Sequence, residues 1–530
     1  MGAPLLAVLV ASVLLAALAR RYDISAPLGL VVVGLAGGMI PGVHGIEMQP
    51  DLVMFVVLPP LLWSAGLGSS YVALRKNVRT VGLLAVGLPL ATTFVVGIVA
   101  FHTVPELTLA AALTLGAIVA PPDAVSATAI GRRLGLPRQI MTLLGGESLF
   151  NDATALTAYK VSLAAAVGAA TTWTGALGTF ALAAVGGILV GLLTGLLIEY
   201  IRTWLDDPLV ESAIGLVAPF FVYWLAEEAH GSGVIAVVVA AVLLGQRSTH
   251  ATYATRLQDD AVWKAVTLIL ESFAFLMIGL QLPQVIDELT GIRAATLAIA
   301  SAAVLATVIA VRIAWVYFMA YVPRALWPRI NEREARPTPS QVFIVAWAGM
   351  RGVVSLAAAF GVPMSTLSGA PFPGRPQLVF LTFVVVIGTL LLHGLTLPWL
   401  IRMLDVSSEA QVHQDALKEA AASTRAAQAA ADRLDELLAR GDDSNVQQQV
   451  GTVLHHWNDQ RRNAVWERLG RSDDDIGESP ASALRRMRAE MLAAERATFI
   501  AERDAGRIDD EVLRAVLHGL DLEEAALKRD

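Results

Sequence analysis

Gly146-Glu147-Ser148-Leu149-Phe150-Asn151-Asp152 lies near the middle of an apolar run, 139–166, long enough to cross a bilayer. Carboxylates at that depth are expensive, and they mark an ion or proton pathway unless the stretch is a solvated loop between helices. On a helix, residues four apart share a face. Glu147 and Asn151 then look one way, and Ser148 and Asp152 look along the adjacent face.

The surrounding chain argues for the membrane. It has 530 residues, 55% of them hydrophobic and 16% charged, with a mean hydropathy of +0.60. A soluble domain carries roughly a quarter charged residues. The charge is also uneven: residues 1–404 hold 22 basic and 20 acidic groups, and 405–530 hold 17 and 26. A transmembrane domain, 1–404, and a cytoplasmic α-helical regulatory or interaction domain, 405–530, follow from that shift. The net charge of −7 comes from the tail and gives no support to a nucleic-acid partner. Without cysteine there is no disulfide, thiolate metal site or thiol nucleophile. The N-terminus lacks a basic n-region, so its first apolar run reads as a retained helix.

Thirteen apolar runs qualify as spanning helices: roughly 4–19, 25–41, 51–68, 80–101, 106–130, 139–166, 175–199, 208–228, 232–246, 262–284, 294–319, 340–362 and 377–401. With the N-terminus outside, seventeen loop arginines and lysines, among them Arg132, Arg133, Arg329, Arg333 and Arg336, fall inside. Only Arg293 and Arg375 fall outside. That bias fixes the orientation by the positive-inside rule and puts the tail in the cytoplasm. Within the spans lie Asp123, Glu147, Asp152, Glu271, Lys160, Arg312 and Arg351. Glu199, Glu211, Glu227 and Glu228 lie near helix ends, where long side chains reach the interface.

Ala120-Pro121-Pro122-Asp123 breaks the fifth run, because two prolines remove two backbone donors and clash with the preceding turn. Such a break is tolerated at membrane depth only inside protein or beside a cavity. Asp123 then starts a second half-helix, and freed carbonyls such as that of Pro122 can face a cation. The twelfth run holds Gly349-Met350-Arg351-Gly352-Val353, a loosened helix around a central arginine. Two interrupted helices seven apart suit two inverted halves meeting at the midplane. A buried arginine needs a carboxylate, and Glu147 is the favoured partner of Arg351. Arg312 could serve a carboxylate near Glu271. Lys160 either lines an outer vestibule or snorkels.

Asp152, Asp123, Ser148 and backbone carbonyls supply the several hard oxygens that a monovalent cation takes. In the tail, 408–440, 446–469, 479–505 and 508–528 read as amphipathic helices, with breaks at 441–444 and 472–477. The tail shows no nucleotide or metal motif, and its ligand is unassigned.

Pro121-Pro122-Asp123, the 146–152 stretch and Gly349-Met350-Arg351-Gly352-Val353 together resemble the bacterial sodium/proton antiporters of the monovalent cation–proton antiporter family one, over roughly 5–402. The resemblance implies an all-α polytopic membrane protein with about 13 transmembrane helices and inverted repeats. It also implies a dimerisation part, a core part with interrupted helices, and a homodimer in the lipid bilayer. By matching motif, Asp152 is the cation- and proton-binding carboxylate, and Asp123 and Ser148 fall at cation-site positions. Asn151 stands where the electrogenic branch has aspartate, which implies electroneutral exchange. Glu147 and Arg351 match a structural ion pair, and Glu271 a glutamate of the site's second ring. Pro122 replaces a threonine of some relatives, so a carbonyl survives there and a hydroxyl does not.

The function expected is secondary antiport of Na+ for H+ across the cytoplasmic membrane, serving pH and sodium homeostasis without a cofactor. A buried carboxylate can hold a proton or a cation, and the two compete. K+/H+ antiport is the alternative. A membrane sensor signalling through the tail is the reading from another class. No nucleophile–base set accompanies the carboxylates, so the chain is not expected to be an enzyme.

Overall fold

The structure is a computed structural model. It describes residues 2–22, 25–40, 53–123, 127–128, 130–131, 134–169, 173–205, 207–248, 251–289, 292–326, 337–406, 409–440, 445–469, 480–505, 507–508 and 510–527. Arg132, Arg133, Arg329, Arg333 and Arg336 of the orientation argument lie outside the described residues. So do residues 124–126, where the second half-helix was expected to start, and the two expected tail breaks. The chain divides into two compact units, Met1–Ser407 and Ser408–Asp530.

Among its described residues, the first unit is helical apart from its connections and two isolated bridges. Its helices are α1 (Gly2–Arg21), α2 (Ala26–Gly38), α3 (Leu58–Leu67), α4 (Tyr71–Lys76) and α5 (Val78–Thr103). They continue with α6 (Leu109–Ile118), α7 (Arg138–Ala166), α8 (Trp173–Arg202), α9 (Pro208–Glu228) and α10 (Gly233–Gln246). The last are α11 (Tyr253–Asp287), α12 (Ala294–Leu326), α13 (Pro339–Trp347), α14 (Val353–Phe360) and α15 (Arg375–Met403). Among the described residues, six helices are long and apolar enough to cross a membrane: α5, α8, α9, α11, α12 and α15. α7 matches them in length but carries the charges that matter below.

Close helix packing is set by small residues, as expected where lipid competes poorly with backbone contact. Gly187, Gly191 and Gly195 recur every four residues on α8. A Cβ on any of them would press on Ser232, Ile235, Ala236 or Ala240 in and beside α10. α2 and α11 cross where Gly34 meets Gly279 backbone to backbone. α5 carries a π turn, Leu83–Gly87, just before Pro89, where an insertion shifts the ladder. The carbonyl of Leu83 there accepts a hydrogen bond from Trp315 Nε1 at 3.0 Å, so the irregular turn is tied to α12.

Both proline- and glycine-marked spans are broken as their sequences require. α6 stops at Ile118, three residues before Pro121. α13 stops at Trp347, and α14 restarts after Gly352. The two extended segments between the half-helices pair with each other: Pro122 and Arg351 form an antiparallel bridge, and Asp123 N–H donates to Met350 O at 2.7 Å. Thr389 Oγ1 on α15 accepts the Arg351 N–H at 3.0 Å. Each broken ladder thereby satisfies part of the other, which is the condition for irregular backbone at membrane depth.

The second unit holds α16 (Glu409–Arg440), α17 (Asn445–Leu469), α18 (Pro480–Asp504) and α19 (Asp510–Leu527). Asn458 Nδ2 donates to Ala427 O at 2.8 Å and ties α17 to α16. Arg488 and Arg496 of α18 pair with Glu523, Asp521 and Glu524 of α19 at 2.7 Å. Exposed pairs of this kind contribute about 0–1 kcal/mol each, so the buried Leu492, Leu513 and Leu520 hold this hairpin.

Candidate ion site at a crossing of two broken helices

α7 runs past the crossing and presents its polar residues there as two faces. Glu147 and Asn151 are fully buried on the first. Asn151 Nδ2 donates to Pro122 O at 3.1 Å, so α7 is fastened to the break in the α6 span. The Pro122 carbonyl, expected to face a cation, therefore gives one of its two lone pairs to Asn151. Asn151 Oδ1 is buried and has no partner among the described residues.

Glu147 is paired with Arg312, not with Arg351. The Arg312 guanidinium meets the carboxylate with both terminal nitrogens, Nη1 to Oε1 at 2.5 Å and Nη2 to Oε2 at 3.0 Å. Its Nε donates to Ala346 O at 3.2 Å, and Nη2 reaches Val345 O at 3.0 Å and Ala348 O at 3.4 Å. Arg312 comes from the middle of α12, one of the long unbroken helices. Gly349 clears its path, since a Cβ there would overlap the Arg312 side chain. The expected Glu147–Arg351 pair fails because Arg351 sits in the break itself, and its guanidinium is drawn to backbone. Arg351 Nε donates to Val119 O at 2.7 Å and Nη1 to Gly349 O at 3.2 Å.

Those contacts have a common electrostatic cause. The carbonyl end of a helix carries about half a negative charge, and α6 and α13 both end at the crossing. Arg351 caps the last turn of α6 and the end of α13, and Arg312 caps α13 again. The opposite pole serves the carboxylates. Gly352, which precedes α14, packs against the half-buried Asp123 side chain; a Cβ there would stand 2.8 Å from Asp123 Cβ. Asp123 thus sits beside the positive end of α14.

Asp152, only 7% exposed, lies on the second face of α7, one turn after the half-buried Ser148. Asp123 is within electrostatic reach of both Asp152 and Glu271, and Arg20 of α1 is within reach of Glu271. The crossing therefore collects Asp152, Asp123 and Asn151 around irregular backbone, with Glu271 within electrostatic reach of Asp123. Ser355 Oγ, on the first turn of α14, is also buried without a partner among the described residues. Lys160 is spoken for: its Nζ lies 2.6 Å from Glu227 of α9, with the lysine side chain 53% exposed.

Sequence reasoning missed Arg312 as the partner of Glu147, and it missed Thr389 and Ser355. One signal was available for Arg312. It is a lone arginine deep in an unbroken apolar helix, where a charge needs a partner at the same depth.

The transmembrane sodium/hydrogen exchanger family profile matches residues 8–403, which include every residue of the crossing. The chain belongs to the sodium/hydrogen exchanger family. It is similar to an uncharacterised Na+/H+ exchanger of Mycobacterium tuberculosis, 35% identical over 538 residues, covering 99% of this chain and 96% of the relative. It is also similar to a sodium, potassium, lithium and rubidium/H+ antiporter of Bacillus pumilus, 32% identical, covering 74% of this chain and 61% of that protein. The fold resembles that of the sodium proton antiporter from Methanocaldococcus jannaschii. That match has a TM-score of 0.59 at 19% identity and covers 76% of this chain and 97% of that one. The exchanger is thus a multi-pass membrane transporter that performs cation/proton antiport.

One prediction arises from the packing at Gly352. Gly352→Ala places a methyl against Asp123 and pushes the carboxylate out of position. The exchanger should fold normally and show a raised apparent KM for its cation in proteoliposomes. An unchanged KM would mean that Asp123 does not contribute to cation binding.

Proposed function

We propose that the exchanger moves Na+ against H+, one for one, by letting the two compete for Asp152. The observation that carries this reading is the crossing: it holds Asp152 buried and within electrostatic reach of Asp123, with the neighbouring Asn151 Oδ1 unpartnered among the described residues. A buried carboxylate is stable when protonated or when a cation neutralises it, and not as a bare charge. Asp123 and Ser148 add oxygens to the cation-bound form. The second lone pair of the Pro122 carbonyl is a further donor. Glu147 and Arg312 hold the frame, and Arg351 keeps the two carbonyl ends of the broken helices neutral. Glu271, within electrostatic reach of Asp123, serves as a second-ring carboxylate.

The same reading gives thirteen crossings in two inverted halves, an outside N-terminus, a cytoplasmic tail, and a homodimer in the cytoplasmic membrane. The seventeen-to-two distribution of loop basic residues supports the orientation. The cation named is Na+. The Bacillus pumilus relative, by its name, also takes potassium, lithium and rubidium, so these belong in the same assay. In everted vesicles with an imposed pH gradient, Na+ should dissipate the gradient. Absence of any alkali-cation response would end the proposal.

Neutral Asn151 beside Asp152 leaves one carboxylate charge on this stretch of helix for the transported ion. Clamping the membrane potential to zero in proteoliposomes should therefore leave Na+-driven proton flux unchanged. Flux that rises under the clamp would show net charge movement and refute one-for-one exchange.

A further inference from the structure

An apolar crevice of about 280 Å³ lies between α11 and α15, and no ion-site residue lines it. Leu282 and Ile286 of α11 and Phe380, Val384, Ile387 and Gly388 of α15 form its walls, and no polar side chain enters it. At this depth the surrounding medium is hydrocarbon, so such a space is filled by hydrocarbon. Phe380 to Gly388 spans eight residues, about 12 Å along a helix. One leaflet contributes about 15 Å of hydrocarbon, half of the ~30 Å core. The crevice thus takes most, but not all, of the length an acyl chain spans in one leaflet.

Its upper rim is charged. Arg375 stands five residues before Phe380, and Glu288 two residues after Ile286. The two are 4.0 Å apart, the outer limit of an ion pair; the Glu288 side chain is 38% exposed and that of Arg375 11%, so the guanidinium shows only an edge at the rim. Arg375 Nε is anchored on Val362 O at 2.8 Å, and Nη1 makes the loose contact with Glu288. A guanidinium at headgroup height above an apolar slot is the arrangement that binds a phosphate with a chain below it.

We propose that a membrane glycerophospholipid binds here, with one acyl chain in the α11–α15 crevice and its phosphate on Arg375. Its preference is for an anionic headgroup, because the rim supplies one well-held cation and only a displaceable carboxylate. The lipid joins two helices that have little direct contact along this slot, so it stabilises the folded exchanger without touching the ion site.

The test uses the full chain purified in mild detergent, read by native mass spectrometry and by thermal melting against added phosphatidylglycerol. The wild type should retain phospholipid, and its melting temperature should rise with phosphatidylglycerol more than with phosphatidylcholine. Val384→Trp and, from the opposite wall, Ile286→Trp fill the slot, and both should lose lipid retention and the melting shift. Two such variants keep the test valid should either fail to fold. Arg375→Gln should keep some retention but lose the headgroup preference. Undiminished retention in the folded tryptophan variants would overturn the proposal. A wild type that binds no lipid would do the same. So would full competition by soluble glycerol phosphate, which would make the site one for a free phosphate rather than a lipid.

Discussion

Arg312→Ala is expected to prevent accumulation of the folded exchanger. The Glu147–Arg312 pair is bidentate, and each side chain is 2% exposed. Removing one member leaves the other charge buried without compensation, at about 3–5 kcal/mol. A folded domain has only about 5–15 kcal/mol in total. Arg312 also holds three carbonyls at the end of α13, and they lose their donors together. The double variant Glu147→Gln, Arg312→Gln should recover much of the loss, because no unpaired charge remains. Arg351→Ala should be milder, since it strips donors from Val119 and Gly349 but strands no carboxylate. Melting curves of the solubilised variants decide the order. Arg351→Ala being the more damaging, with Arg312→Ala near wild type, would assign Glu147 to Arg351 after all.

Asp152→Asn is expected to abolish exchange and leave the fold intact. The amide has the shape of the carboxylate but cannot release a proton or neutralise a cation, so both half-cycles stop. Asp152 is buried, and among the described residues it has no ion pair for the substitution to break. The contrast with Glu147→Gln is the informative part. Both residues are buried carboxylates five positions apart on one helix, yet one substitution should erase transport at normal stability and the other should lower stability first. Residual cation-dependent proton flux in Asp152→Asn would move the site elsewhere. The measurement is pH-gradient dissipation in proteoliposomes, paired with a melting curve.

Much of this arrangement was legible from local chemistry. Pro121-Pro122 and the glycines around Arg351 announced two interrupted helices, because proline and glycine act on the backbone where they stand. The four-residue spacing of Glu147 with Asn151, and of Ser148 with Asp152, separated two faces of α7, and the structure gives those faces different neighbours. The tail helices follow the same logic of local periodicity. What failed was the pairing of Glu147. Sequence yields the depth of a residue in the membrane but not the direction it faces around its helix axis, nor which helix lies beside it. Arg351 and Arg312 both had suitable depth. The choice between them was made by the crossing, which turns Arg351 toward two carbonyl ends and leaves α12 facing Glu147. Lys160 was undecidable for the same reason: Glu227 lies 67 positions away in sequence and at hydrogen-bond distance in space. The tie between the π turn of α5 and Trp315 had no sequence signal beyond Pro89 itself.

The central claim is that one carboxylate serves proton and cation in turn. Its most direct test is the apparent KM for Na+ of the purified exchanger in proteoliposomes, measured over a series of pH values with the potential clamped. Competition predicts that KM rises as pH falls, by up to about tenfold per pH unit when a single proton contends for the site, while the maximal rate at saturating Na+ stays constant. A KM independent of pH, with the maximal rate falling instead, would place the proton and the cation on different groups and contradict the account.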